Sequence, residues 1–138
     1  MKDPGAARGS DGSRGWHIAC RIAIAAVVVG VFCTWIADDG ATLNGTEGPN
    51  NGWLCVLLAG PAYLWTRRME RGAWTGVAGV LGCAVVIGWT AVENWRDGRD
   101  VLGATVSYGL LIVLAASLLL LAAAVARGVS LAREARSA

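Results

Sequence analysis

Four apolar stretches, separated by short charged clusters, organise the chain. The first runs from Trp16 to Ala37, interrupted only by His17 and Arg21 near its start. The second runs from Gly52 to Thr66, the third from Ala73 to Val92, and the fourth lies within Val101 to Ala126. A helix that crosses a bilayer needs about 20 apolar residues, within a range of about 17–25. The first, third and fourth stretches meet this. The second is short and contains Pro61, and its charged flanks are what support it. The pattern predicts an all-α fold, an integral membrane four-helix bundle. Its transmembrane domain covers 16–126, with spans over 16–37, 52–66, 73–92 and 101–126.

The segments between the spans are polar. Residues 1–15 are rich in Gly, Ser, Arg and Asp, cannot bury a core, and are expected to form a disordered tail. The loop from Asp38 to Asn51 contains Asn44-Gly45, a two-residue turn signal. Its flanks are too short for an independent hairpin, so a small local turn is expected there. Pro49 and Asn50 suit the start of the second helix. The short Arg-rich connection after Thr66 makes the second and third spans antiparallel neighbours. Residues 127–138 form a second tail, into which the last helix continues by a turn or two.

Charge then orients the spans. Arg and Lys concentrate in cytoplasmic segments of membrane proteins. Lys2, Arg8, Arg14 and Arg21 precede or open the first span, Arg67, Arg68 and Arg71 lie between the second and third, and Arg127, Arg133 and Arg136 follow the fourth. The two remaining loops are acidic, with Asp38, Asp39, Glu47, Glu93, Asp97 and Asp100 against Arg96 and Arg99. This alternation requires an even number of spans and predicts both termini in the cytoplasm. Tryptophan provides an independent check, because indole prefers the membrane–water interface. Trp16 and Trp35 bracket the first span, Trp53 and Trp65 the second, and Trp74 and Trp89 the third. All six are expected to be interface anchors, with Trp95 following in the outer loop. Cleavage of the first span as a secretory signal would need a small residue where Trp35 stands, so the span is expected to be retained.

No constellation for catalysis, a metal or a cofactor stands out. Cys20, Cys33, Cys55 and Cys83 are scattered, whereas thiol-exchange enzymes depend on a close pair. Only Cys33 and Cys55 share a depth, and both are expected to be packing residues. His17 is the sole histidine, too few for haem or zinc. Arg21, one turn inside the first span, is expected to snorkel its guanidinium to the headgroups. The acidic residues around Asp38 and Glu47 lack the organised ligand spacing of a calcium loop. Asn44-Gly45-Thr46 fits the glycosylation sequon, which matters only in a host with that machinery.

The third span is rich in glycine. Gly72, Gly76, Gly79 and Gly82 place small residues on helix faces, which lets another backbone come close in lipid. Leucine at Gly79 or Gly82 is therefore expected to overpack, whereas Val80 is expected to face lipid.

The loop ending in Gly48-Pro49-Asn50-Asn51-Gly52-Trp53-Leu54, followed by a short Ala/Leu span and Thr66-Arg67-Arg68, is the most distinctive stretch. With this layout, residues 16–126 resemble a broad group of uncharacterised small four-span bacterial membrane proteins that have no assigned activity. The resemblance implies no catalytic residue. Lys2 is the only lysine, and Ala, Gly and Val are abundant, which points to a high-GC bacterial genome and a bacterial inner or plasma membrane. The expected function is non-enzymatic, through lipid contacts or a membrane-protein partner, which includes a second copy of the chain. An accessory subunit or envelope component would act this way, with no nucleic acid involved. One rival is a small transporter built as an oligomer, which would want an ionisable group near mid-membrane. A membrane thiol-redox protein is the other.

Overall fold

The structure, a computed structural model, describes residues 11–38, 41–47, 51–100 and 105–137. Four helices follow one another: α1 (Asp11–Phe32), α2 (Gly52–Glu70), α3 (Trp74–Asp100) and α4 (Tyr108–Ser137). They close a ring in which α1 packs on α2, α2 on α3, α3 on α4 and α4 on α1. Side chains fix the direction. Arg21 near the start of α1 reaches Glu70 at the end of α2, and Trp74 at the start of α3 lies beside Gly128 in α4. The bundle therefore runs up-down-up-down, with the start of α1, the end of α2, the start of α3 and the end of α4 together.

Three helices, α1, α3 and α4, are long and apolar enough to cross a membrane. α2 is not among them, because its last turn carries Arg67, Arg68 and Glu70. Pro61 sits inside α2 on an exposed face, and the helix runs through it. At about 1.5 Å per residue, the 27 residues of α3 span about 40 Å, more than the ~30 Å of a hydrocarbon core. Glu93, Arg96, Asp97 and Arg99 thus extend the helix rather than forming a loop. The tail expected over residues 1–15 is helical from Asp11 onward, and residues 1–10 lie outside the described residues.

The all-α expectation is corrected at the other end. α1 stops at Phe32, and Thr34–Asp38 forms a strand, β1, instead of completing the expected span. Thr34, Trp35 and Ile36 are β-branched or aromatic and suit a strand. β1 pairs antiparallel with β2 (Ala41–Asn44) on one side and β3 (Thr105–Val106) on the other. Asp38 stands opposite Ala41. Asn44-Gly45 opens the small local turn that the sequence predicts, in which Glu47 N–H donates to Asn44 O at 3.3 Å and Thr46 N–H to Asn44 Oδ1 at 2.9 Å. Gly45 also joins the cap to the helices: its N–H donates to Val31 O at 2.8 Å, and its carbonyl accepts from Gly52 N at 2.9 Å.

Trp35 is also corrected. It is no interface anchor but is fully buried beneath this cap, and its indole Nε1 donates to Gly30 O at 2.9 Å. Gly45 lies flat against the Trp35 ring, where a Cβ would come within 2.5 Å. Helix α4 approaches equally closely, since a Cβ on Gly109 would meet Thr34 O at 2.7 Å.

The four glycines singled out around α3 fall in different places. Gly76 and Gly79 pack against α2: a Cβ on Gly76 would strike the backbone of Met69, and one on Gly79 the indole of Trp65. Gly72 belongs to the α2–α3 turn, with φ of 77°, a left-handed conformation that favours glycine. Gly72 N–H bonds Met69 O and Ala73 N–H bonds Arg68 O, the pairing that ends a helix in a Schellman motif. Gly82 faces outward into open space, and Val80 is fully buried. The expectations for those two positions are therefore reversed. Gly79 and Gly82 are three residues apart, and helical twist carries Gly82 off the α2 contact.

Leucine at Gly79 should destabilise the protein in detergent by about 1–3 kcal/mol, the usual cost of overpacking, whereas leucine at Gly82 should be nearly neutral. A thermal-stability comparison of the two variants checks this. Equal losses would mean that the α2–α3 contact is not where the structure puts it.

Candidate functional site at the charged end of the bundle

Two neighbouring clusters occupy the end where α1 begins and α2 finishes. In the first, His17 and Arg21 are four residues apart and so share a face of α1. Both turn to Glu70 on α2. Arg21 Nη2 donates to Glu70 Oε1 at 3.1 Å, and His17 Nδ1 lies 3.5 Å from the same oxygen. The sequence reading sent Arg21 to the headgroups and His17 to the interface. The structure gives them a common carboxylate, although Arg21 remains largely exposed. A shallow cavity of about 340 Å³ opens between His17, Ile18, Arg21 and Glu70. Trp16 stacks against His17, and on its other side the Arg127 guanidinium of α4 lies 5.6 Å from a Trp16 ring centroid. Arg127 also donates to Ser130 Oγ at 3.0 Å and to Glu134 Oε1 at 2.9 Å. Trp16 thus joins α1 to α4, and Glu70 joins α1 to α2.

The second cluster lies on the outer face of α2. Tyr63, Leu64, Arg67, Arg68 and Arg71 recur at helical spacing and line a groove of about 380 Å³. Arg67 donates to the Tyr63 hydroxyl through Nη2 at 3.1 Å, and the Arg68 guanidinium sits 4.9 Å from the ring centroid of Trp65. These pairs are three or four residues apart, so the sequence contained them. The tertiary role of Glu70 left no such trace, because its partners lie 49 and 53 positions away.

Deeper in the bundle the buried polar side chains satisfy themselves on their own helices. Thr66 Oγ1 donates to Ala62 O, Thr90 Oγ1 to Val86 O, Asn94 Nδ2 to Thr90 O and Ser117 Oγ to Leu114 O, all at 2.8–2.9 Å. The four cysteines are free thiols: Cys20, Cys55 and Cys83 are buried, and Cys33 lies against Gly109. Among the described residues no group of three or more His, Cys, Asp or Glu side chains could hold a metal ion. Glu47, weighed above for calcium, accepts from Asn44 N–H at 3.0 Å. Of the tryptophans assigned to the interface, Trp53, Trp74 and Trp89 are exposed, whereas Trp16 and Trp65 are half-buried against the core.

Family models, curated proteins and solved structures give no match to this chain.

A double-mutant cycle over Arg21→Gln and Glu70→Gln tests the contact between α1 and α2. Partly exposed ion pairs contribute about 0–1 kcal/mol, so the coupling measured in detergent should be favourable and under about 1 kcal/mol. An unfavourable coupling, or one well above about 1 kcal/mol, would contradict this contact.

Proposed function

We propose that the chain is a four-span integral membrane protein with both termini in the cytoplasm, acting through lipid or membrane-protein contacts rather than through catalysis. The observation that carries this is the apolar character of the bundle's outside. Ile22 and Val29 on α1, Leu57 and Leu64 on α2, Val85 on α3 and Leu118 on α4 are each more than half exposed. Water-soluble monomers rarely show apolar surface on every side, and a hydrocarbon solvent removes the penalty. The spans are then α1, α2, α3 and α4, with α2 completing the bilayer through its Arg-bearing end. Arg21, Arg67, Arg68, Arg71, Arg127, Arg133 and Arg136 all fall at the end that the positive-inside rule assigns to the cytoplasm. The strand cap then faces the outside. An accessory or envelope role fits a molecule in which Thr66, Thr90, Asn94 and Ser117, buried within the bundle, are bonded to carbonyls of their own helices.

Membrane-impermeant alkylation of Glu47→Cys and Ser137→Cys, each made with Cys33→Ser, tests the orientation. Glu47 and Ser137 are exposed in the cap and at the end of α4. The first should be labelled in intact cells and the second only after lysis. Labelling of both in intact cells would mean an odd number of spans, with α2 lying outside the bilayer.

A further inference from the structure

We propose that the outer face of α2 is a binding site for one anionic phospholipid, with its phosphate on Arg67, Arg68 and Arg71 and an acyl chain along Leu64 and Pro61. This rests on the membrane placement proposed above and names the lipid contact.

Three observations converge on this face. The first is charge without an ion-pair partner. The neighbouring basic residues Arg21 and Arg127 are each paired with a carboxylate. Among the described residues, no carboxylate lies within ion-pair distance of Arg67, Arg68 or Arg71. The one acid in the same helical turn, Glu70, is bound to Arg21 across α1. The second is orientation. Tyr63 holds Arg67 by a hydrogen bond, and Trp65 carries Arg68 on its ring face. Two of the three guanidiniums are thus pre-positioned by groups that do not neutralise them. Guanidinium forks match phosphate oxygens bidentately, and a cluster of three arginines favours a headgroup of net negative charge over a zwitterionic one, whose own ammonium already offsets its phosphate.

The third is shape. A second groove of about 200 Å³, lined by Pro61, Leu64, Trp65 and Arg68, adjoins the arginine groove and shares Leu64 and Arg68 with it. Its walls are apolar except at the Arg68 end. An apolar slot running from the membrane interior to three arginines outside any ion pair matches a phospholipid, with its tail and its phosphate joined in one molecule. Tyr63 and Trp65 stand at the junction, where amphipathic rings favour the headgroup level.

The test uses the full chain in vesicles of phosphatidylcholine alone or mixed with phosphatidylglycerol. The readout is the lipid retained on the protein after detergent extraction, counted by native mass spectrometry. The wild-type chain should retain phosphatidylglycerol preferentially. Each Arg→Gln change in Arg67, Arg68 and Arg71 should weaken that retention about fivefold, the worth of one basic residue at an anionic surface. Arg133→Gln with Arg136→Gln removes exposed charge from the same end but not from the groove, and should leave the preference intact. Equal loss in that control would overturn the site in favour of diffuse attraction. Competition by inorganic phosphate as effective as by the lipid would overturn it in favour of a free anion. Leu64→Trp, which fills the tail slot without adding charge and leaves the arginines in place, should also abolish retention, and unchanged retention would overturn the groove. Failure of all variants and wild type to stay with any vesicle after alkaline washing would instead overturn the membrane placement, and the site with it.

Discussion

Backbone N–H and C=O groups removed from water must find partners within the chain, and the architecture follows from that constraint. Along the helices the partners are intrinsic. Where the chain leaves a helix, specific residues take over. At one end, Val31, Gly45 and Gly52 link α1, the cap and α2 in a continuous series of backbone bonds, and Ser107 N–H closes onto Trp35 O at 2.9 Å. At the opposite end, Gly72 turns the chain tightly enough for Arg68 and Met69 to keep partners for their carbonyls. The buried hydroxyls of Thr66, Thr90 and Ser117 obey the same rule by bonding carbonyls of their own helices. A bundle so arranged places no demand on solvent between its ends.

This self-sufficiency makes close backbone approach the means of holding the helices together. Gly76 and Gly79 bring α3 onto α2, and Gly30 and Gly109 bring α1 and α4 together beside the cap. In lipid, where side-chain burial gains little over exposure to acyl tails, such contacts supply the dispersion and packing that drive association. The contact between α1 and α2 differs. A charged trio, His17, Arg21 and Glu70, stands at its cytoplasmic-side end on the proposed placement, next to an open cavity. The polar chemistry of the molecule is thereby concentrated where α2 ends, and the arginines left over face outward.

Much of this was legible in the residue pattern. Helix existence and order followed from apolar runs bounded by charge, and the Arg clusters marked one end correctly as a unit. The cap was not legible as a sheet. Thr34 to Ala37 reads as the tail of an apolar span, and pairing with Ala41–Asn44 and, some 70 positions away, with Thr105 and Val106 makes it a strand. Trp35 shows the same failure: its position beside charged residues matched an interface ring, while its hydrogen bond to Gly30 depends on the chain folding back. Gly82 and Val80 were misassigned because glycine content alone does not give helix phase. The rest of the charged end divides in the same way. Tyr63 with Arg67 and Trp65 with Arg68 are local and readable, whereas the meeting of His17, Arg21 and Glu70 needs the tertiary fold.

The most direct test of the membrane-embedded bundle is a spin label at Leu118, exposed in the middle of the apolar part of α4 that precedes Arg127, in lipid vesicles. With Cys33→Ser, the Leu118→Cys label should collide readily with dissolved oxygen and hardly at all with a water-soluble nickel complex, whereas a Glu47→Cys label in the cap should show the opposite. A Leu118→Cys label as open to nickel as the cap label would place the apolar outside of the bundle in water and contradict the account.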